Sequence, residues 1–222
     1  MIHIAIDGPA GAGKSTIARR LAAQIGFIYV DTGALYRAVG LFALRNHAET
    51  HDAAAVTALL PQIELSLRFK NGVQKVFLKN EDVSEAIRTP AVSMAASGVS
   101  AIPQVREFLF DLQRKIALES NIIMDGRDIG TVVLPNAQLK IFLTASAEDR
   151  AQRRFEELQA KSQPADYQQV LDDIRQRDYQ DMHRATAPLK QADDAVKIDT
   201  TGNTLEQSIT LLRGVLREKL GL

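Results

Sequence analysis

The chain contains no cysteine. Disulfides, thiolate metal sites and cysteine nucleophiles are thereby excluded, and the composition suits a reducing cytoplasm. There is no excess of either charge, 27 basic residues standing against 27 acidic. That balance argues against a general binder of nucleic acid or membrane surfaces, although local basic patches stay open. There is no long apolar run. The charge-free stretch from Thr89 to Val105 carries Thr, Ser, Gly, Gln and two prolines, which is too polar to span a bilayer. There is no leader pattern either, because Met1–Ile6 runs straight into Asp7-Gly8. No repeat or low-complexity tract stands out. What is present is a 222-residue chain with 45% apolar and 24% charged residues. Such a chain can bury a real core as one domain, or as one domain with a modest insertion. The expectation is a soluble, cytoplasmic protein.

Residues 2–6 form a short apolar run that ends in a glycine-rich turn, which reads as a buried strand. From Lys14 to Ile25 the apolar positions Ile17, Ala18, Leu21, Ala22 and Ile25 keep helical spacing, with Gly26 placed as a C-cap. Phe27–Val30 reads as a second strand and Gly33–Arg45 as a second helix. This strand–helix–strand–helix order opens a parallel α/β sheet. The pattern then changes. Ile63–Phe69 alternates strictly, Asn71-Gly72 follows, and Val73–Lys79 resumes, which predicts a β-hairpin inside an inserted subdomain. Pro103 opens a helix to about Glu119, with Val105, Phe108, Leu109, Leu112 and Ile116 on its inner side. Asn121–Met124 and Leu139–Thr144 read as strands, and Ser146–Asp149 as a capping box. Helices over about 147–160 and 167–182, a strand at Val196–Asp199 and a final helix capped by Thr204 complete the chain.

Four sequence elements carry chemistry. Gly8-Pro9-Ala10-Gly11-Ala12-Gly13-Lys14-Ser15 fits G-x-x-x-x-G-K-[ST], follows a strand and opens a helix that continues with Thr16. Its backbone amides, the helix N-terminus and Lys14 suit a nucleoside triphosphate, and Ser15 offers a hydroxyl to Mg²⁺. The second element is Asp31-Thr32-Gly33-Ala-Leu-Tyr36-Arg37, placed beyond a strand's carboxyl end, where open parallel sheets bind ligands. Thr32 could equally be a helix N-cap and Arg37 an exposed helix arginine. The third, Ile122–Asp128, ends an apolar run in Asp125, which could hold a water on Mg²⁺; Arg127 and Asp128 follow, and could be a structural ion pair. In the fourth, Arg150, Arg153 and Arg154 cluster on one helix, and Arg177, Asp181 and Arg184 are spaced i, i+4, i+7 on the next. A solvated ion-pair ladder accounts for the second set. The first set suits arginines that neutralise a moving phosphoryl group.

Together these motifs resemble bacterial cytidylate kinases. The resemblance spans nearly the whole chain, through Ile6–Ser15, Asp31–Arg37, Val83–Thr89, Val105–Glu107, Asp125–Val133 and the stretch from Arg177 to Leu189. It implies an α/β P-loop kinase with a central parallel sheet flanked by helices, a small antiparallel β insert and a helical lid. The implied division is a core (about 1–58, 102–147 and 185–222), a monophosphate-binding insert (59–101) and a lid (148–184). It implies ATP as phosphoryl donor, CMP and dCMP as acceptors, Mg²⁺ as cofactor and a monomer. By the same resemblance Thr32, Arg106, Asp128 and Arg184 lie around the cytosine, Arg37 and Arg127 hold the acceptor phosphate, and Arg177 and Asp181 face the pentose. On this reading Lys14, Arg127, Arg153 and Arg154 would serve the transferring phosphoryl. Two alternatives stand beside this reading: another small P-loop kinase, with UMP or shikimate as acceptor, and a nucleotide-gated module of the GTPase type. The last needs an Asn/Thr-Lys-x-Asp motif, which this sequence lacks.

Overall fold

The computed structural model describes residues 1–70 and 73–222. A five-stranded sheet has the order β2-β6-β1-β7-β8, built from β1 (His3–Asp7), β2 (Ile28–Asp31), β6 (Ile122–Gly126), β7 (Leu139–Thr144) and β8 (Val196–Asp199). β1 pairs in parallel with β7, Ile4 opposite Leu139 and Asp7 opposite Phe142, and β7 in parallel with β8. A second sheet, β3 (Leu65–Lys70), β4 (Val73–Leu78) and β5 (Glu81–Asp82), is antiparallel. The hairpin expected from alternation is therefore present. The Asn71-Gly72 turn on which it was predicted lies outside the described residues. The central strands begin or end one or two residues later than the apolar runs suggest, because their closing Asp and Gly residues still belong to the ladder.

The chain divides into two compact units. One comprises Met1 and Ile28–Ile122, the other Ile2–Phe27 and Ile123–Leu222. The first unit holds α2 (Thr32–Arg45), α3 (Ala53–Leu59), the small sheet, α4 (Pro90–Ser100) and α5 (Pro103–Glu119). Its core joins Leu35 and Val39 of α2, Val76 and Leu78 of β4, Val92 and Val99 of α4, and Leu109 of α5. The hairpin thus shares one apolar core with helices on both sides of it in sequence. α4 was not predicted. It lies in the charge-free stretch, where Ala, Ser, Gly and Val conceal the helical period, and Thr89 caps it by accepting from Val92 N–H. A Cβ at Gly40 would stand 2.9 Å from the Ala96 nitrogen, so α2 and α4 approach backbone to backbone.

On α5 the buried stripe includes Arg106 and Gln113 beside Val105 and Leu109, while Phe108, Leu112 and Ile116 are half-buried. Apolarity alone had missed two of the innermost side chains.

The second unit holds α1 (Lys14–Ile25), a π-helical turn at Ile129–Val133, α6 (Ala147–Ala160), α7 (Tyr167–His183) and α8 (Leu205–Leu220). α1 ends as expected at Gly26, in the left-handed region at φ 72°. The box predicted at Ser146–Asp149 is half made. Ser146 accepts from Asp149 N–H, but the Asp149 carboxylate turns to Gly202 N–H and Arg153. Thr204 and Gln207 make the complete box on α8. α6 and α7 close a small core of Ala151, Leu171 and Ile174. No helix among the described residues is long and apolar enough to cross a membrane.

Candidate active site

The second unit carries the phosphate loop. β1 delivers the chain to Gly8 at φ +151°, where a Cβ would lie 1.9 Å from the Leu143 carbonyl oxygen of β7. No side chain fits there. The loop closes at Gly13, whose φ of 82° starts α1 without any side-chain cap. The first amides of α1 are therefore left to an anion, which the helix dipole also favours. Lys14 is buried, and its ammonium donates to the Pro9 carbonyl at 2.7 Å. Burial and then the neighbouring Arg127 push its pKa down, while Asp125, Asp181 and Asp7 act in the opposite sense.

β6 delivers the second group. Ser15 donates to Asp125 Oδ2 at 3.0 Å, across 110 positions of sequence. Arg127 Nε donates to Asp181 Oδ2 at 2.8 Å. Asp181 is buried on α7. Burial by itself would raise its pKa, but Arg127, Arg177 and Arg184 hold it below the usual carboxylate value. Arg184 lies past the end of α7 in extended backbone, so the three-residue face predicted from i, i+4, i+7 spacing does not continue as helix. It reaches the cluster from the C-cap position. Its Nε and Nη2 donate to Ala187 O, at 2.8 and 2.5 Å; Nη2 also stands 3.7 Å from Asp128, and Nη1 3.8 Å from Asp181. Lys14, Ser15, Asp125, Arg127, Asp128, Asp181 and Arg184 thus gather in one unit.

The arginines of α6 behave differently from one another. Arg154 makes an exposed ion pair with Glu157. Arg153 pairs with Asp149 and donates to Thr200 O at 2.7 Å. Arg150 is buried and bonds to Asp178 and to the phosphate loop itself.

The first unit holds Thr32, Arg37 and Arg106. The N-cap of α2 is Asp31, which accepts from Ala34 N–H at 3.0 Å, and so the capping reading of Thr32 gives way to its neighbour. Thr32 is buried as the first residue of that helix. The Gln74 side chain brackets Asp31 with two bonds to its backbone, and Arg88 pairs with its carboxylate at 3.1 Å. The insert hairpin thereby holds the head of α2 in place. Arg106 lies over the Tyr36 ring, 5.5 Å from its centroid, and donates to Ser100 O.

The family model for cytidylate kinase matches residues 4–216. The chain belongs to the cytidylate kinase family. It is 55% identical over 206 residues to a cytidylate kinase of Caldicellulosiruptor bescii, covering 93% of this chain and 91% of that protein. It is 48% identical over 220 residues to one from Streptococcus pneumoniae, covering 99% of each. Among solved structures it is similar to an uncharacterized protein from Eubacterium ventriosum (TM-score 0.56, 12% identity, 98% of each chain). A shikimate kinase from Bacteroides thetaiotaomicron aligns with TM-score 0.50 and 16% identity, over 100% of this chain and 99% of that one. At these identities the two structures speak to the P-loop kinase fold alone.

In this family member, Ser15 and Asp125 put two hard oxygens side by side, which fits a small divalent cation. Among the described residues no three His, Asp or Glu side chains cluster as a metal cage. The donor set therefore suits a metal that takes its other ligands from phosphates and water. One residue escaped the sequence reading. Asp7, buried at the end of β1, accepts from Ile129 N–H at 2.8 Å and Gly130 N–H at 2.7 Å. It so ties the strand before the phosphate loop to the turn after Asp128. Its signal was an acidic residue closing a strand directly after the apolar Ile4–Ile6.

Proposed function

We infer that the chain phosphorylates CMP and dCMP to their diphosphates, by in-line transfer of the γ-phosphoryl group of ATP. Family membership over residues 4–216 carries this reading, and the uncapped N-terminus of α1 with Lys14 beside it supports a triphosphate site. The loop Gly8–Thr16 holds ATP. Lys14 turns from the Pro9 carbonyl to the phosphates. Ser15, and Asp125 through a water, would hold Mg²⁺, which would neutralise charge on the triphosphate. The acceptor oxygen is already anionic, so no general base is needed. The work is to bring two polyanions together and stabilise spread charge, which Lys14, Arg127 and the α6 arginines Arg153 and Arg154 supply. For Arg153 and Arg154 that role requires exchanging their present partners for phosphate when the 148–184 lid closes and excludes water.

The acceptor assignments follow the family motifs: Arg37 and Arg127 for its phosphate, Thr32, Arg106, Asp128 and Arg184 for cytosine, Arg177 and Asp181 for the pentose. The reading treats the chain as a cytoplasmic monomer of core, insert and lid. The test is ADP release from ATP and Mg²⁺ with CMP, dCMP, UMP and shikimate offered singly. Release with CMP and dCMP well above the others is expected; release led by UMP or shikimate would overturn the acceptor class.

A further inference from the structure

Arg150 uses four of its five N–H groups on three partners, and all of them are protein. Nε donates to Ala145 O at 2.9 Å, Nη1 to Ala10 O at 2.9 Å and to Asp178 Oδ1 at 3.1 Å, and Nη2 to Asp178 Oδ2 at 2.6 Å. The residue is 4% exposed. Its stem runs along the phosphate loop, its Cβ 3.4 Å from where a side chain on Gly11 would begin. An arginine that neutralises a moving phosphoryl needs free donors and room to swing. Arg150 keeps one N–H outside these bonds and has no room to swing, although it sits on α6 in the same cluster as Arg153 and Arg154.

What it joins is informative. Ala10 is in the loop that takes the triphosphate. Asp178 is on α7, three residues before Asp181, the carboxylate that pairs with Arg127. A guanidinium gripping a carboxylate with two parallel bonds fixes orientation as well as distance. The same planar group cannot hold Asp178 in that fork and Ala10 at 2.9 Å unless loop and helix keep one relative position.

We propose that Arg150 and Asp178 form a positioning clamp between the ATP loop and the helix that orients Arg127. Affinity for both nucleotides then depends on a pair that touches neither. The inference rests on the kinase reading above for what the two ends bind, but not for the clamp's effect on ATP.

The test uses Asp178→Asn and Arg150→Lys in the full chain. Each is measured by circular dichroism, by calorimetry with ATP, and by KM for ATP and CMP together with kcat. Asparagine keeps the volume but loses the charged fork; lysine keeps the charge but can reach only one partner at a time. Misplacing groups by about 1 Å costs on the order of 10²-fold. Both variants should therefore weaken ATP, and raise both KM values, by between ~10- and ~100-fold while staying folded. The double variant should lose less than the product of the two, as expected for one shared interaction. If Arg150→Lys does not fold, Asp178→Asn carries the test.

Two results would overturn the clamp. One is a kcat loss in Arg150→Lys with both KM values unchanged and Asp178→Asn silent, which would put Arg150 on the phosphoryl group. The other is lowered Tm with unchanged nucleotide affinity, which would make the pair structural only. Calorimetry with ATP alone keeps the outcome separate from the acceptor: a wild-type protein inactive on CMP would sink the CMP reading and leave the ATP arm decisive.

Discussion

Replacing Asp7 with Asn should remove a contribution to stability that grows in acid, the opposite of the usual carboxylate behaviour. Asp7 is 5% exposed. Burial lifts its pKa from 3.8 to about 6, against the lowering effect of its bonds from Gly130 and Ile129 and of Lys14, and with a small further rise from Asp128. A folded-state pKa above the unfolded one means that the native protein holds the proton more tightly. The resulting stability is fully present below about pH 3.8 and is lost as pH rises through about 6. At 1.36 kcal/mol per pK unit, the charge on Asp7 costs the native state about 3 kcal/mol at neutral pH. Asparagine removes that cost, but its NH₂ must face one of the two backbone N–H groups, leaving a buried donor unpaired for about 1–3 kcal/mol. The two proteins should therefore differ by less than about 2 kcal/mol at pH 7. Urea unfolding of both, from pH 8 down to pH 5, gives the decisive quantity, their difference. Wild type should gain on the variant by about 1.4 kcal/mol at pH 5, approaching the full 3 kcal/mol or so in stronger acid. Other groups titrate in both proteins and cancel to first order in that difference. A difference independent of pH, or one that moves toward the variant in acid, would show that Asp7 is not an ionised buried carboxylate, and the argument from its environment would be wrong.

Lys14→Met should leave circular dichroism unchanged, since a buried ammonium with a depressed pKa is no asset to the fold, while turnover falls ~10²-fold or more; a folded variant with near-normal kcat would refute the phosphate role. Gly8→Ala should abolish soluble folded protein or lower Tm sharply, because its Cβ would lie 1.9 Å from a strand carbonyl; a wild-type melting curve would contradict that geometry. Arg127→Ala should weaken CMP far more than cytidine in calorimetry, since cytidine has no phosphate to lose, and equal weakening would place Arg127 elsewhere. Asp128→Asn should lower kcat/KM for CMP and narrow its lead over UMP. A carboxylate accepts from the cytosine amino group but meets the uracil carbonyl as a second acceptor, a mismatch worth about 1–3 kcal/mol. Equal loss on the two nucleotides would leave Asp128 as a partner of Arg184 alone.

The phosphate loop, the flanking strands and helices of the first 45 residues, and the helix caps at Gly26 and Thr204 were legible because their causes are local. Glycine at fixed offsets, a 3.6-residue apolar period and a hydroxyl three residues before the backbone N–H it accepts from all lie within one short window. α4 was not legible, because its exposed positions Pro90, Ala91 and Met94 are as uncharged as its buried ones and mark no polar face, and its small residues answer to close approaches, of α2 and of Thr50, that only folding makes. Arg106, named only through the family motif, and Gln113 were not read as inner residues of α5 for a related reason: a polar side chain's burial is decided by folding, which for Arg106 supplies Ser100 O and the Tyr36 ring. The same division runs through the site. Lys14, Arg127, Asp128, Asp181 and Arg184 were named from sequence, but the residue type could not say which carboxylate each cation meets. The three α6 arginines look alike on a helical wheel. Their different burial, one locked on Asp178 and Ala10, one on Thr200 O and Asp149, and one paired with Glu157 in solvent, is decided by what the chain brings up against them from up to 140 positions away. Sequence determined which chemical groups the protein possesses and the local elements that carry them. Tertiary structure decided which of those groups are desolvated and paired, because burial and charge pairing are set by distance in space, and only the folded chain fixes that distance.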